Sequence, residues 1–146
     1  MKGLLAALVL ALMPATCAHA SKNALAGPVP VEVLRVIDGD TFVAKAHIWP
    51  GHSVVTSIRV RGVDAPELRG RCAAERGAAR KAKAAFAGLL SAGSVFIRNI
   101  DGDKYFGRVV ADVYAGQGKS ASDALLAAGH ARPYGGKTRE AFCKKR

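Results

Sequence analysis

The chain has 146 residues, with 22 Lys and Arg against 11 Asp and Glu, a net charge of +11. That length leaves room for one small domain and not for several. Charge so strongly basic draws polyanions, nucleic acid first and anionic lipid or wall polymer next.

The chain opens with a basic Met1-Lys2, an apolar run "GLLAALVLAL" from Gly3 to Leu12, a breaker at Pro14 and small residues "AHA" ending at Ala20. This pattern predicts a cleaved secretory signal over residues 1–20, followed by a flexible segment over 21–30 and one domain over 31–146. The apolar run is too short to span a bilayer. Cys17 raises a lipid anchor as the alternative, but Pro14 and Thr16 fit a lipidation site poorly. Cleavage removes Lys2 alone among the charges, leaving +10. The expected destination is the periplasm or the exterior, where Cys72 and Cys143 would pair as a disulfide. Closing so long a loop contributes roughly 4 kcal/mol in the chain-entropy view.

"VEVLRVI" (Val31 to Ile37) alternates apolar and polar residues and predicts a half-buried strand. Asp38-Gly39 signals a hairpin turn into a second strand, Thr41 to Ile48. Pro50-Gly51 breaks that strand. A third runs from Val54 to Val63, with Val54, Thr56, Ile58 and Val60 on one face and Arg59 and Arg61 on the other. Ala, Lys and Arg then dominate from Arg71 to Leu90, a predicted helix with an apolar stripe of Ala78, Ala82, Ala85, Phe86 and Leu89. Ser94 to Ile100 and Gly107 to Ala115 read as strands four and five. A short helix, Asp123 to Gly129, follows, capped by Ser120 or Ser122. The basic, Gly-rich tail from Arg132 shows no periodicity. Five strands with a helix between the third and fourth and a short helix after the fifth give a mainly β, α+β class: an OB-fold barrel.

Five of the eleven acids, Asp38, Asp40, Asp64, Glu67 and Asp103, fall in three short stretches beside turns: "IDGDT", "RVRGVDAPE" and "DKYFGR". Pairing of strands two and three would bring Asp40 and Asp64 to one end of the sheet. Two carboxylates with carbonyls and waters suit a hard cation, Ca²⁺ or Mg²⁺. With no His or Cys nearby, zinc does not fit. Pro66 favours an extended Ala65 and leaves Glu67 close to Asp64, placed to take a proton from water. Arg59 and Arg108 offer two guanidinium forks for a phosphate. Cation, base and arginines on a basic chain point to phosphodiester hydrolysis.

The three motifs "VIDGDT", "IRVRGVDAPE" and "DKYFGR", in this order and spacing, resemble the staphylococcal (micrococcal) nuclease family over roughly residues 31–134. The resemblance implies a Ca²⁺ held by Asp40, Asp64 and the Ala65 carbonyl, with Thr41 supporting its waters. It makes Glu67 the general base, gives the scissile phosphate to Arg59 and Arg108, and gives a neighbouring phosphate to Lys104 and Tyr105. Similar enzymes cut DNA and RNA and leave 3′-phosphates. Three features depart from the family pattern. Ala65 stands where Thr is usual, Phe106 is inserted between Tyr105 and Gly107, and the long final helix is missing. The insertion leaves open how Tyr105 is placed relative to Arg108, and with it the roles of Lys104 and Tyr105. The Cys72–Cys143 bridge would replace the missing helix as a brace. Tyr134 falls where base-stacking tyrosines are expected.

"IDGD" occurs twice, at 37–40 and at 100–103. The first reads as the metal loop, with Asp38 serving the turn. The second lacks the spacing of an EF-hand, so Asp101 and Asp103 are expected to shape the connection that delivers Arg108. Arg61 reads as a solvated surface arginine, as do the helix charges Arg76, Arg80, Lys81 and Lys83. His47, His52 and His130 show no ligand spacing, and Trp49 reads as local packing beside Pro50. The expectation is a monomer acting on DNA and RNA without stable membrane association. A non-catalytic OB-fold that grips nucleic acid through charge and aromatics is the competing reading.

Overall fold

Alternation of buried and exposed residues builds the three leading strands, β1 (Val29–Val36), β2 (Thr41–Trp49) and β3 (His52–Val60), in a computed structural model that describes residues 24–143. The predicted signal over 1–20 and the first residues of the flexible segment lie outside the described residues. Leu25 to Pro30 do not hang free as expected. Leu25 bridges Ile100 with backbone bonds of 2.9 and 2.8 Å, Asn99 N–H donates to the Ala26 carbonyl, and β1 already begins at Val29.

β1 pairs antiparallel with β2, and β2 with β3, so that Thr41 stands opposite Arg59. The third predicted strand ends earlier than read. Past Gly62 the chain turns into a separate two-residue strand, β4 (Val63–Asp64). Helix α1 (Ala73–Leu90) follows. Cys72 caps it without a side-chain bond, and Glu75 in the first turn accepts the Arg71 N–H instead. The buried stripe is Ala79, Ala82, Phe86 and Leu90, turned from the predicted one because Ala78 and Ala85 look as apolar as Ala79 in an Ala-rich run. Phe86 meets Phe42 of β2 edge to face, with ring centroids 5.7 Å apart, a contact worth about 1 kcal/mol beyond burial.

β5 (Val95–Gly102) and β6 (Arg108–Ala115) form the next hairpin. β5 pairs with β1, and β6 pairs in parallel with β3, matching Ser57 to Arg108 and Val60 to Ala111. That last pairing closes the five long strands into a barrel, as an OB-fold requires. Ile58, Val60, Ile97, Ala111 and Val113 fill its interior with Phe42 and Ala44. Val54 belongs to the predicted inner face but is exposed, because the β2–β3 hairpin runs past the end of the barrel. A short β7 (Lys119–Ser120) extends the sheet beside β6. Helix α2 (Ala121–Ala127) starts at Ser120, whose hydroxyl accepts the Asp123 N–H at 3.3 Å. Finally β8 (Arg132–Pro133) pairs with β4, opposing Arg132 to Asp64. This pair carries the tail, unpatterned in sequence, across the end of the barrel. No helix among the described residues is long and apolar enough to cross a membrane.

Candidate active site

The turn "IDGDT" is built around two short contacts. Asp38 Oδ1 accepts the Asp40 N–H at 3.1 Å, the turn role expected of Asp38. Gly39 is buried, and a Cβ there would come 2.7 Å from Ala82 Cβ on α1 and 2.8 Å from Ala65 Cβ. Only glycine lets the turn lie this close to the helix, and the tight approach drives the Asp40 carboxylate into the barrel wall. Asp40 is 2 % exposed and Asp64 is 4 % exposed.

Buried carboxylates need partners. Asp40 Oδ1 accepts from the Thr41 hydroxyl and from Arg59 Nη1, each at 2.8 Å, and its Oδ2 accepts the Ala65 N–H at 2.9 Å. Burial nevertheless pushes its carboxyl up to about 6, against the pull of Arg59, Ala65 and Thr41. Arg59 spans to the other acid, with Nη2 3.2 Å from Asp64 Oδ1 and 3.2 Å from the Val63 carbonyl. Asp40, Asp64, Thr41 and Arg59 thus meet at one end of the sheet, as the strand pairing predicts. Glu67 lies just beyond Pro66, half exposed.

Arg108 arrives from the other side of the cleft. Its Nε donates to Asp103 Oδ2 at 2.5 Å, and Asp103 Oδ1 accepts the Lys104 N–H at 2.6 Å. Burial works to raise the Asp103 carboxyl, but the Arg108 hydrogen bond and charge win and hold it below the usual carboxylate value. The Arg108 N–H donates to the Tyr105 carbonyl at 3.2 Å, closing a four-residue turn with Gly107 at φ +77° in its third position. The turn points Phe106 wholly into solvent and places Tyr105 beside Arg108, whose guanidinium carbon lies 4.5 Å from the ring centroid. Lys104 Nζ sits 5.0 Å from the same ring. Tyr134 faces them across the cleft, with Arg59 5.8 Å from its ring centroid.

Together these residues line a cleft of about 740 Å³ that holds Asp40, Thr41, Arg59, Ala65, Glu67, Lys104, Tyr105 and Arg108. Residues 57–145 match the sequence family described as staphylococcal nuclease homologue. The chain belongs to that family. Members of this family are usually nucleases, which act on nucleic acid. The match opens inside β3 and takes in Arg59, Asp64, Glu67 and Arg108. Asp40 and Thr41 precede it and join the site through the β2–β3 register. None of the curated proteins compared with the chain matches it.

The residues fit a hard cation. The candidate ligands are all oxygens, the carboxylates of Asp40 and Asp64 and the Ala65 carbonyl, and positively charged nitrogens already bind across them. One of those nitrogens comes from a residue that no sequence motif marked. Arg139, in the tail, places Nη2 2.6 Å from Asp64 Oδ1 and 3.3 Å from the Ala65 carbonyl, and its Nη1 pairs with Glu67 Oε1. Burial works against its charge, but Asp64 and Glu67 more than offset this, so Arg139 holds its proton more firmly than a free arginine.

Cys72 and Cys143 are joined, with Cα atoms 6.0 Å apart, as expected of an oxidised pair. Glu75 lies 3.2 Å from Cys143 Sγ, yet disulfide sulfurs offer no thiolate, so this cluster is no metal centre. Arg61 is not the solvated arginine expected. It donates to Asp101 Oδ2 at 2.7 Å and to the Val110 carbonyl at 3.1 Å, and its Nε lies 3.3 Å from Asp112 Oδ1. It braces the bulge in β5 between Arg98 and Asp101, behind the loop that presents Arg108.

Proposed function

We propose that the protein is a metal-dependent endonuclease that hydrolyses phosphodiester bonds of DNA and RNA, with Ca²⁺ as the cation and Mg²⁺ the alternative. The observation that supports this best is the meeting of Asp40, Ala65, Glu67, Arg59 and Arg108 around one cleft, with Asp64 held at its edge by Arg59 and Arg139. Asp40, Asp64 and the Ala65 carbonyl would hold the cation, with Thr41 ordering its waters. When bound, the cation supplies charge neutralisation at the phosphate oxygens.

The remaining work falls to the side chains. Arg59 and Arg108 grip the non-bridging oxygens of the scissile phosphate, where negative charge builds in the transition state. Glu67 takes the proton of the attacking water as the new O–P bond forms. Arg108 sits beside the departing 5′-oxygen, leaving a 3′-phosphate. Lys104 and Tyr105 bind the adjoining phosphate, and Tyr134 offers a face for a base. Since phosphate contacts carry no sequence information, cutting is expected to be broad. Residues 1–20 act in this reading as a cleaved export signal ahead of a domain over 31–146. The product is a monomer of the periplasm or exterior, without stable membrane association.

Digestion of plasmid and of RNA by the purified protein, with Ca²⁺, with Mg²⁺ and with chelator, tests the reading beside a Glu67→Gln variant. Cutting that needs the cation and falls at least a hundredfold in the variant is expected for loss of a general base. Salt-sensitive binding without cutting under any metal would leave a nucleic-acid-binding barrel and end the nuclease reading.

A further inference from the structure

The tail beyond β8 is fixed at several points. Arg132 donates to the Ala141 carbonyl at 3.2 Å and stacks on Phe142, 4.2 Å from its centroid. The Tyr134 hydroxyl donates to the Lys137 carbonyl at 2.8 Å. Cys143 is tied to Cys72 at the head of α1. Cys72 lies five positions after Glu67, and Cys143 four positions after Arg139. The disulfide and the Arg139–Glu67 ion pair therefore close one small ring over the mouth of the carboxylate site.

Inside that ring the Arg139 guanidinium contacts Asp64, Glu67 and the Ala65 carbonyl together. Two of these three, Asp64 and the Ala65 carbonyl, are proposed cation ligands, and the third is the proposed base. Arg139 adds a full positive charge 2.6 Å from Asp64 Oδ1, beyond the Arg59 charge already there, and that charge repels a divalent cation entering among the same oxygens. Short tethers raise the local concentration of a bound group to the millimolar range, so the contact persists without strong intrinsic affinity.

We infer that Arg139 is the chain's own occupant of the cation site and sets its affinity, because a divalent cation binds only as Arg139 leaves. The Cys72–Cys143 bridge is the tether that keeps Arg139 at hand. This rests on the reading of Asp40, Asp64 and the Ala65 carbonyl as cation ligands. Arg139 acts here as a positioning residue: while bound it also pairs with Glu67 Oε1, so entry of the cation and release of the base are one event. Affinity is lowered by the fraction of molecules in which the site is open.

Calorimetric titration with Ca²⁺, without nucleic acid, tests this on the wild type and on Arg139→Ala, Lys137→Ala and Cys143→Ser. Arg139→Ala is expected to bind about tenfold more tightly than wild type. Lys137→Ala removes a neighbouring charge that touches none of the three oxygens, and should match wild type. Cys143→Ser should move toward Arg139→Ala. Equal or weaker binding by Arg139→Ala overturns the inference while leaving the cation site standing, and so does an equal gain in Lys137→Ala, which would reduce the effect to general charge. Unchanged binding in Cys143→Ser overturns the tether. Absence of binding in all four proteins would overturn the cation-site reading itself, and the inference with it.

Discussion

The two copies of Ile-Asp-Gly-Asp, at 37–40 and 100–103, share four residues and nothing else. In the first, Gly39 is pressed between α1 and Ala65, and Asp40 is sunk in the barrel wall among Arg59, Thr41 and the Ala65 amide. In the second, nothing lies within 4 Å of where a Gly102 Cβ would stand, Asp101 serves Arg61, and Asp103 aims Arg108. The first copy's Asp40 lies in the proposed cation site, beside Arg59, while the second copy's Asp103 faces Arg108. The surroundings, not the tetrapeptide, assign the role: the carboxylate against a helix and two buried neighbours suits the proposed cation, while the one beside an exposed turn holds an arginine.

Activity should separate the copies most widely. Asp40→Asn is expected to lower the rate of digestion about a thousandfold, since several kcal/mol of charge stabilisation depend on a bound cation. Asp103→Asn, which only lets Arg108 drift, should cost roughly ten- to a hundredfold. Equal losses in a plasmid assay would break the distinction.

The glycines come next. Gly39→Ala forces an overlap with Ala82 and Ala65 and should destabilise by about 1–3 kcal/mol in urea unfolding. Gly102→Ala meets open space and should stay within about 0.5 kcal/mol of wild type. A Gly39→Ala variant as stable as wild type would mean that the turn can move off the helix.

Acid and base should pull the two carboxylates in opposite directions, measured by melting in chelator. The Asp40 carboxyl is raised to about 6 in the folded state, so its contribution is whole below about pH 4 and is lost as the pH climbs through 6. Against Asp40→Asn, the wild type should therefore lose on the order of 2 kcal/mol across that interval. Asp103 is lowered, so its contribution is present above about pH 4 and disappears as the pH falls. Both differences moving the same way with pH would contradict this assignment. The smallest effect belongs to Asp101→Asn. Its pair with Arg61 is about a third exposed, which limits the loss to roughly 0.5 kcal/mol by thermal unfolding.

Much of the barrel is legible in the chain because its signals are local. Alternation marks β1, Pro50-Gly51 ends β2, and Ser120 caps α2 within two residues of where the pattern places its start. The acids Asp40, Asp64 and Glu67 and the arginines Arg59 and Arg108 stand out because each lies beside a turn. The phase of α1 is hidden, since alanine on every side blurs the stripe that large residues would draw. Arg61 looks free because its partners, Asp101 and Asp112, are forty and fifty residues away and meet it only once the barrel closes. Arg139 is hidden most deeply. It lies in a tail without periodicity, and only the two-residue pairing of β4 with β8 and the Cys72–Cys143 bridge bring it back to the acids. The one hint available is Cys143 itself, which promises a return of the tail to the head of α1.

The seam between β3 and β6 carries a consequence for the order of folding. It joins segments about fifty residues apart, whereas β1–β2, β2–β3 and β5–β6 are hairpins between neighbours. Hairpins form early and cheaply, and distant pairings wait for the entropy of a large loop to be spent. Arg59 and Arg108 lie on opposite sides of that seam. The unfolded chain has all its positive charge and can cling to any polyanion, but the two arginines proposed to grip phosphate are strangers until the barrel shuts. The capacity to cut would thus arise late, after the hairpins have formed.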